Sequence, residues 1–517
     1  MPEYAIATPQ VDASRAGAHA LATGGNAIDA ALAAAAVLTV TYPHNCAVGG
    51  DLFALVRRPD GDIVSVNASG PAAAAVDLDA MRARVGPTMP VTGPLTVTVP
   101  GLVAGWGVLH ELGASRSWSR HLEVAIELAA DGVAVADGLA AAIRESPGVR
   151  ADPGMAAMFT RSGAPLAAGA RLHQPALART LCRLASEGPR ALYDGELADT
   201  LAAGLRRVGS PLTAADLRAY APVLEAPLRG TFRDVEVLTS PPNSSGVLLL
   251  QALAALDALG PADPLGADAA QLASILRSGS AQRSQMLADP ASLAFDRDAW
   301  LGDARIDEII AAAREGVTLP VATGRPAHPD GDTVGIVAVD GQGGAVSLTQ
   351  SLYHSFGAQI LEPVTGVLLH NRGSAFSLDA EHPNALRPRR RPAHTLMALM
   401  AQRGGTLLGA LATMGGRVHA QIHAQVLLRL LDGATPQEAV DDPRWVVGAL
   451  EAGEADGTVR IEQGVEERAR RALTGGAVAP LSVPRGSDDV GHAQAIWTEP
   501  VVRAGSDVRA DGAAISG

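Results

Sequence analysis

A threonine that opens a strand directly after a soft loop can act on its own chain. The run Pro326-Ala327-His328-Pro329-Asp330-Gly331-Asp332 leads straight into the apolar stretch Thr333-Val334-Gly335-Ile336-Val337-Ala338-Val339. Cleavage of the Asp332–Thr333 bond would free the Thr333 α-amine, and one residue would then carry a nucleophilic hydroxyl and its own base. An α-amine has a reference pKa of about 8, close enough to neutrality for general-base work. A strand-opening threonine is also an ordinary choice for β-propensity.

Two further features could serve the same chemistry. A second apolar strand, Ala345-Val346-Ser347-Leu348-Thr349-Gln350-Ser351, follows the turn Asp340-Gly341-Gln342-Gly343-Gly344. A hairpin there puts Thr333 and Ser351 on adjacent strands, with the serine able to face the threonine; an exposed strand serine is the alternative. Farther on, Gly415-Gly416 precede a helix expected from about Arg417 to Leu431. Two unobstructed backbone amides can point at a developing oxyanion, each worth ~3 kcal/mol in the transition state, although a glycine pair more often marks a turn.

The elements that must position these residues alternate in kind. Gly24-Gly25-Asn26 predicts a helix from Asn26 to Val40, since Asn is a good N-cap, and the Ala-rich stretch Ala27 to Tyr42 reads as buried. Strands are expected at Leu52–Val56 and Asp62–Val66 around the turn Pro59-Asp60-Gly61. From about Leu102 to Ala313 the pattern is mostly helical, with 3.6-residue periodicity over His121–Asp131 and Leu197–Val208 and a capped start at Thr213-Ala214-Ala215-Asp216. Residues 315–332 carry much Pro and Gly and read as a mobile tail that self-cleavage would release. Strands at the start and again after Thr333, with helices between, fit an α/β chain of sheets covered by helices.

Composition narrows the partners. The chain has 517 residues, 47% hydrophobic and 18% charged, with a net charge of −13 and no lysine, so all 41 basic residues are arginine. An acidic surface of this kind argues against nucleic acid or an anionic membrane as the main partner. Cys46 and Cys182 have neither disulfide-framework nor metal-ligand spacing and are expected to be buried free thiols; no metal or other cofactor is expected. The N-terminus lacks the basic and apolar regions of a signal peptide, so a cytoplasmic location is expected.

Order and spacing of motifs along the chain add a resemblance. Gly24-Gly25-Asn26-Ala27-Ile28-Asp29, Gly49-Gly50-Asp51-Leu52-Phe53, Val99-Pro100-Gly101-Leu102, Ser240-Pro241-Pro242-Asn243, Leu369-His370-Asn371-Arg372, Arg391-Pro392-Ala393-His394-Thr395, Met414-Gly415-Gly416-Arg417 and Asp442-Pro443-Arg444-Trp445 occur in sequence. In this the chain resembles the gamma-glutamyltransferase family of N-terminal-nucleophile hydrolases. The resemblance implies a four-layer αββα sandwich and self-cleavage at Asp332–Thr333. It also implies a large subunit 1–332 and a small catalytic subunit 333–517 forming one composite domain. Thr333 takes the nucleophile position, Ser351 that of the second hydroxyl, and Gly415-Gly416 that of the oxyanion hole.

Departures from the family pattern bear on substrate. Asn67, in Asn67-Ala68-Ser69-Gly70-Pro71, stands where the family places the Arg that holds a glutamyl α-carboxylate. Ala375 stands where it places the Asp that holds the α-ammonium. Tyr353 replaces an amine-binding Asn, and His394 and Thr395 replace a serine pair that grips the carboxylate. Arg372 stands where the family usually has an uncharged Gln and adds a bidentate carboxylate binder; a surface or structural ion-pair arginine is the alternative.

The resemblance therefore implies a non-glutamyl branch like the oxamate amidohydrolases, acting on a small carboxylated molecule without a free α-amine. Alternatives are C–C hydrolysis of an α-keto acid with oxalyl release in natural-product biosynthesis, classical gamma-glutamyl hydrolysis or transfer, and a catalytically dead scaffold. Expected partners are the small substrate and the two subunits of one precursor, with a homodimer of heterodimers left open.

Overall fold

A computed structural model describes residues 3–292, 294–315, 332–448, 458–475 and 480–517. The expected mobile tail, from residue 316 to 331, lies outside the described residues.

In chain order the strands of the two main sheets are β1 (Ala5–Thr8), β2 (Asp51–Arg57), β3 (Ile63–Ala68), β4 (Val223–Glu225), β5 (Leu228–Phe232), β6 (Val235–Thr239), β7 (Asp332–Val339), β8 (Ala345–Tyr353), β9 (Ala398–Arg403), β10 (Thr406–Met414), β11 (His492–Trp497), β12 (Arg503–Ser506) and β13 (Ala513–Ser516). One sheet has the order β13-β1-β7-β8-β2-β3-β4 and the other β12-β11-β10-β9-β6-β5. All neighbours within both are antiparallel.

Side-chain alternation along each strand builds three apolar interfaces. Between the sheets lie Leu55, Val337, Val339, Ala345, Met400, Ala410, Ala412 and Ile496. The opposite residues of the first sheet, such as Val334, Ile336, Leu348 and Ala54, pack on helices α1 (Val11–Ala22) and α2 (Ala27–Thr41). The outer face of the second sheet, with Val237, Leu399 and Leu411, packs on α3 (Gly246–Leu259), α4 (Ala269–Met286) and α5 (His419–Leu431). The result is helix, sheet, sheet, helix. The fold is the expected αββα sandwich.

Local chemistry explains the elements nearest the site. Asn26 caps α2 by accepting from the Ile28 and Asp29 amides, while Asp29 accepts from the Asn26 amide at 2.8 Å, a reciprocal cap. Every residue of α2 is buried, as befits a helix apolar all round. The hairpin between β7 and β8 is pinned by Asp340, whose carboxylate accepts from the amides of Gln342, Gly344 and Ala27, each at 2.9 Å. That turn fixes the register of everything that follows on the two strands.

Three expectations need adjustment. The stretch expected to be mostly helical contains β4, β5 and β6, which end the two sheets; three short strands of three to five residues carry too little periodicity to be seen among long helices. Cys46 is buried but Cys182 is exposed, because it lies on the outer face of an amphipathic helix whose Leu177, Leu181 and Leu184 point inward. The helix after Gly415-Gly416 begins at His419, two residues late, since Gly416–Val418 form a 3-10 turn. Among the described residues no helix is long and apolar enough to cross a membrane.

Candidate active site

Thr333 on β7 stands directly opposite Ser351 on β8, and Ser351 directly opposite Asp51 on β2. Opposed residues of an antiparallel sheet share a face, so the three side chains form a row on the inner face, in line with Val337 and Leu55 of the inter-sheet core. Thr333 is 1% exposed. Its Oγ1 donates to Ser351 Oγ at 3.0 Å, and Ser351 Oγ in turn donates to the Asp332 carbonyl at 2.7 Å. The pairing register shifts between Asp332 and Thr333, so the ladder is irregular at that bond. The hydroxyl beside the expected cleavage point therefore connects, through one serine, to the carbonyl of the bond that would be cut.

The backbone around this pair is held under strain. Tyr353 has φ 83, a left-handed conformation that costs a bulky residue about 1–3 kcal/mol. Its amide donates to Ser351 Oγ at 2.7 Å, and the guanidinium carbon of Arg372 lies 3.5 Å from its ring centroid. Asn45 Nδ2 donates to the Thr333 carbonyl at 3.5 Å. Burial lifts the Asp332 carboxyl to about 7; a hydrogen bond from Ser355 opposes this and the neighbouring charge of Asp488 adds to it.

Gly415-Gly416 follow β10 at the same end of the sandwich. Gly335 backs onto Ala412, where an added Cβ would come within 2.8 Å of the Ala412 carbonyl carbon. Farther along, Ser347, opposite Val337, donates to the Leu411 carbonyl at 2.7 Å. Gly335 lies two residues after Thr333 and Ala412 three residues before Gly415, so their contact brings the start of β7 near the end of β10. Gly416 has φ 52, suited to glycine. A Cβ on Gly415 would sit 2.3 Å from Ile422 Cδ1.

The remaining expected residues fall into two linked groups. Arg372, in the 3-10 turn Arg372–Ala375, is 1% exposed and donates to Thr395 Oγ1 at 3.2 Å. It is therefore a buried arginine, not a surface one. Ala375 ends the turn, its carbonyl accepting from Asn384 Nδ2 at 2.7 Å. In the second group Asn67 Nδ2 donates to Asn243 Oδ1 at 2.9 Å, while Asn67 Oδ1 accepts from the Ser69 hydroxyl at 2.7 Å and amide at 3.1 Å. Asn243 Nδ2 reaches the Pro392 carbonyl, and the Asn243 carbonyl accepts from the His394 amide.

His394 has both ring nitrogens engaged. Nδ1 accepts from the Leu396 amide at 3.2 Å, which leaves Nε2 to donate to Asp51 Oδ2 at 3.1 Å. Burial, reinforced by the charge of Arg372, pushes this imidazole down to about 3, so it is neutral. Its ring lies 4.8 Å from that of Phe53. In this arrangement neither ring nitrogen of His394 is left to take the place of a hydrogen-bonding serine.

Asp51, His370, Asn45 and Asn243 were not singled out from the sequence as site residues. Burial alone would raise the Asp51 carboxyl, but His370 and His394 hold it well below the usual carboxylate range. His370 Nδ1 lies 3.1 Å from Asp51 Oδ2, and the Gly70 amide donates to Oδ1 at 3.1 Å. The available signal was a polar residue set inside an apolar stretch, as in Gly50-Asp51-Leu52 and Leu369-His370, since a buried polar group requires partners. Arg444, in Asp442-Pro443-Arg444-Trp445, pairs instead with buried Asp507 and serves the scaffold.

Comparison with known proteins identifies the family. The gamma-glutamyltranspeptidase family model matches residues 13–517. The chain is 34% identical over 520 residues to the glutathione hydrolase-like YwrD proenzyme of Bacillus subtilis, covering 99% of this chain and 98% of that protein. It is 33% identical over 529 residues to the oxamate amidohydrolase proenzyme of Klebsiella pneumoniae, covering 97% and 96%. Among solved structures, a cephalosporin acylase from Bacillus halodurans matches with a TM-score of 0.90 and 29% identity over 99% of this chain and 96% of that one. With sequence and fold matched along nearly the whole length, this chain belongs to the gamma-glutamyltranspeptidase family of N-terminal-nucleophile hydrolases.

Proposed function

We propose that the chain is a self-processing hydrolase that cuts itself at Asp332–Thr333 and then uses Thr333 on a small carboxylated amide lacking a free α-amine. The observation that carries the reading is the connected set Thr333 Oγ1, Ser351 Oγ and Asp332 carbonyl, at 3.0 and 2.7 Å. In the precursor the Thr333 hydroxyl attacks the Asp332 carbonyl carbon while Ser351 polarises its oxygen. The C–N bond breaks, the nitrogen keeps the proton it gains, and water hydrolyses the resulting ester. Asp332 then ends the large subunit with a carboxylate, and Thr333 begins the small one with an amine.

In the mature enzyme that amine takes the proton from the Thr333 hydroxyl as the oxygen attacks the substrate carbonyl. The Gly415-Gly416 amides receive the developing oxyanion, the protonated amine returns its proton to the leaving nitrogen, and water releases the acyl group. The relatives named as proenzymes, and one of them named an oxamate amidohydrolase, support both the processing and the substrate class.

The pocket residues point away from glutamyl donors. Ala375 offers no charge, and Asn67 is committed to Asn243 and Ser69. Asp51, the carboxylate in the row, is engaged by His394, His370 and the Gly70 amide. A buried ammonium without a carboxylate costs several kcal/mol. Arg372 supplies the positive charge that an acid substrate needs. Intact mass and turnover measurements on oxamate, α-keto acids and gamma-glutamyl anilide test the reading. Fragments 1–332 and 333–517 with turnover of an acid amide support it; efficient gamma-glutamyl turnover overturns it.

A further inference from the structure

After Gly415-Gly416 the chain makes one 3-10 turn, Gly416–Val418, and enters the 13-residue helix α5 at His419. The His419 side chain belongs to the loop that carries the candidate oxyanion amides. It is 1% exposed, and neither ring nitrogen has a hydrogen-bond partner among the described residues. Leaving a buried donor and acceptor unmet costs about 1–3 kcal/mol each, so a fold that keeps them gains something elsewhere.

The surroundings indicate what that is. Burial above all, with the charge of Arg372 adding to it, holds the imidazole well below its ordinary value, so it is neutral. Arg372 and His394 are walls of the site described above. His394 has no ring nitrogen left for a ligand, whereas His419 has one N–H and one lone pair. The first residue of α5 also lies at the positive end of the helix dipole. A neutral N–H, a helix N-terminus and a nearby guanidinium together suit an anionic acceptor; the lone pair suits a donor such as an amide N–H.

We propose that His419 is a substrate-specificity residue of the Thr333 site, its neutral imidazole hydrogen-bonding the carboxylate of the small acid amide alongside Arg372. This rests on the reading of the site as a Thr333 hydrolase for carboxylated substrates. It adds a second, uncharged recognition element supplied by the oxyanion loop itself, so that carboxylate binding and oxyanion geometry are set by one segment.

The test uses the processed enzyme with oxamate, malonamate and succinamate and with the matching uncharged diamides. Wild type is compared with His419→Phe, which keeps a flat ring without hydrogen bonds, and with His419→Gln, which keeps a donor and an acceptor. The expected result is a preference for the best acid over its diamide that falls about tenfold or more in His419→Phe, the scale of one charge-assisted hydrogen bond. The change should lie mainly in KM, and His419→Gln should restore most of it.

An equal loss on acid and diamide, or no loss, overturns the assignment and leaves His419 a packing residue. If His419→Phe does not fold, His419→Gln against His419→Asn, which shortens the reach, carries the same comparison. A wild type that processes itself yet hydrolyses none of the acids overturns the functional reading and this inference with it. A wild type that hydrolyses one, with the acid preference unchanged in the variants, overturns the inference alone.

Discussion

Asp51 lies directly opposite Ser351 in the sheet, one strand beyond the Thr333 position. Its Oδ2 is 3.1 Å from a ring nitrogen of each of His370 and His394, and its Oδ1 accepts from the Gly70 amide. One carboxylate therefore fixes two imidazoles and a turn beside the candidate nucleophile. Asp51→Asn replaces an all-acceptor group by one that must turn an NH2 toward a donor. Breaking such a buried set costs about 3 kcal/mol, and His394 loses its fixed orientation. Urea unfolding of the precursor and processing rate measured together check this; an unchanged midpoint with normal processing removes Asp51 from the positioning role.

Processing depends on the hydroxyl pair. Thr333→Ala should give only the full-length chain by intact mass, because the attacking hydroxyl is removed. Ser351→Ala keeps the attacking hydroxyl but loses the donor to that carbonyl, and should slow processing by on the order of a hundredfold, as for loss of a positioned proton-transfer partner. Fragments of any boundary other than 332/333, or Ser351→Ala processing at the wild-type rate, would refute this use of the pair.

The hairpin carrying Thr333 and Ser351 was legible because its parts are local: a Gly-rich turn between two alternating apolar runs fixes the register by itself. The Ala27–Thr41 helix was legible for the same reason, through its Asn26 cap. Asp51, Asn243 and His394 come together from positions scattered over hundreds of residues, and nothing local in the sequence reports that closure. Order along the chain matched His394 to a position where the family resemblance implies carboxylate binding. It could not reveal that the Leu396 amide and Asp51 already occupy both ring nitrogens. Strands β4 to β6 were missed because strands of three to five residues at the ends of sheets are specified by their neighbours rather than by their own pattern.

Gly416 provides a backbone test of the oxyanion assignment. Its φ of 52 is one that Asn tolerates and a β-branched residue resists. Gly416→Val should lower kcat by about a hundredfold or more through displaced amides, with a smaller effect on KM. Gly416→Asn should retain much more activity, because the loop keeps its conformation. Steady-state kinetics on processed protein decide it; equal kcat in all three proteins would take this loop out of the reaction.

Asp332 makes precursor stability depend on pH. Its carboxyl is raised to about 7 by burial, whereas an unfolded aspartate titrates near pH 4. The folded precursor keeps its proton over a range in which the unfolded chain has released it, so folding is penalised increasingly from about pH 4 to about pH 7 and constantly above. In the uncleavable Thr333→Ala background, Asp332→Asn should therefore raise Tm more at pH 8 than at pH 4.5. Thermal melts at the two values check the sign, and equal increments would mean that the carboxyl is not held protonated.

Specificity follows from which charges remain near the row of Thr333, Ser351 and Asp51. Arg372 is the buried cation over Tyr353 and against Thr395, so Arg372→Ala should raise KM for an acid amide by about tenfold or more, the loss expected for a charge-assisted pair. Gamma-glutamyl anilide and glutathione should be poor substrates of the unmodified enzyme. The double change Asn67→Arg with Ala375→Asp restores both charges of a glutamyl site and should raise gamma-glutamyl hydrolysis from near zero. The gain will be limited, because Asn67→Arg also removes the side chain that Asn243 and Ser69 bond, and those bonds connect to the segment carrying His394. Kinetics of the single and double variants on both substrate classes separate the two effects: a KM for the acid that ignores Arg372→Ala, or a wild type already efficient on glutamyl donors, would refute this account of the pocket.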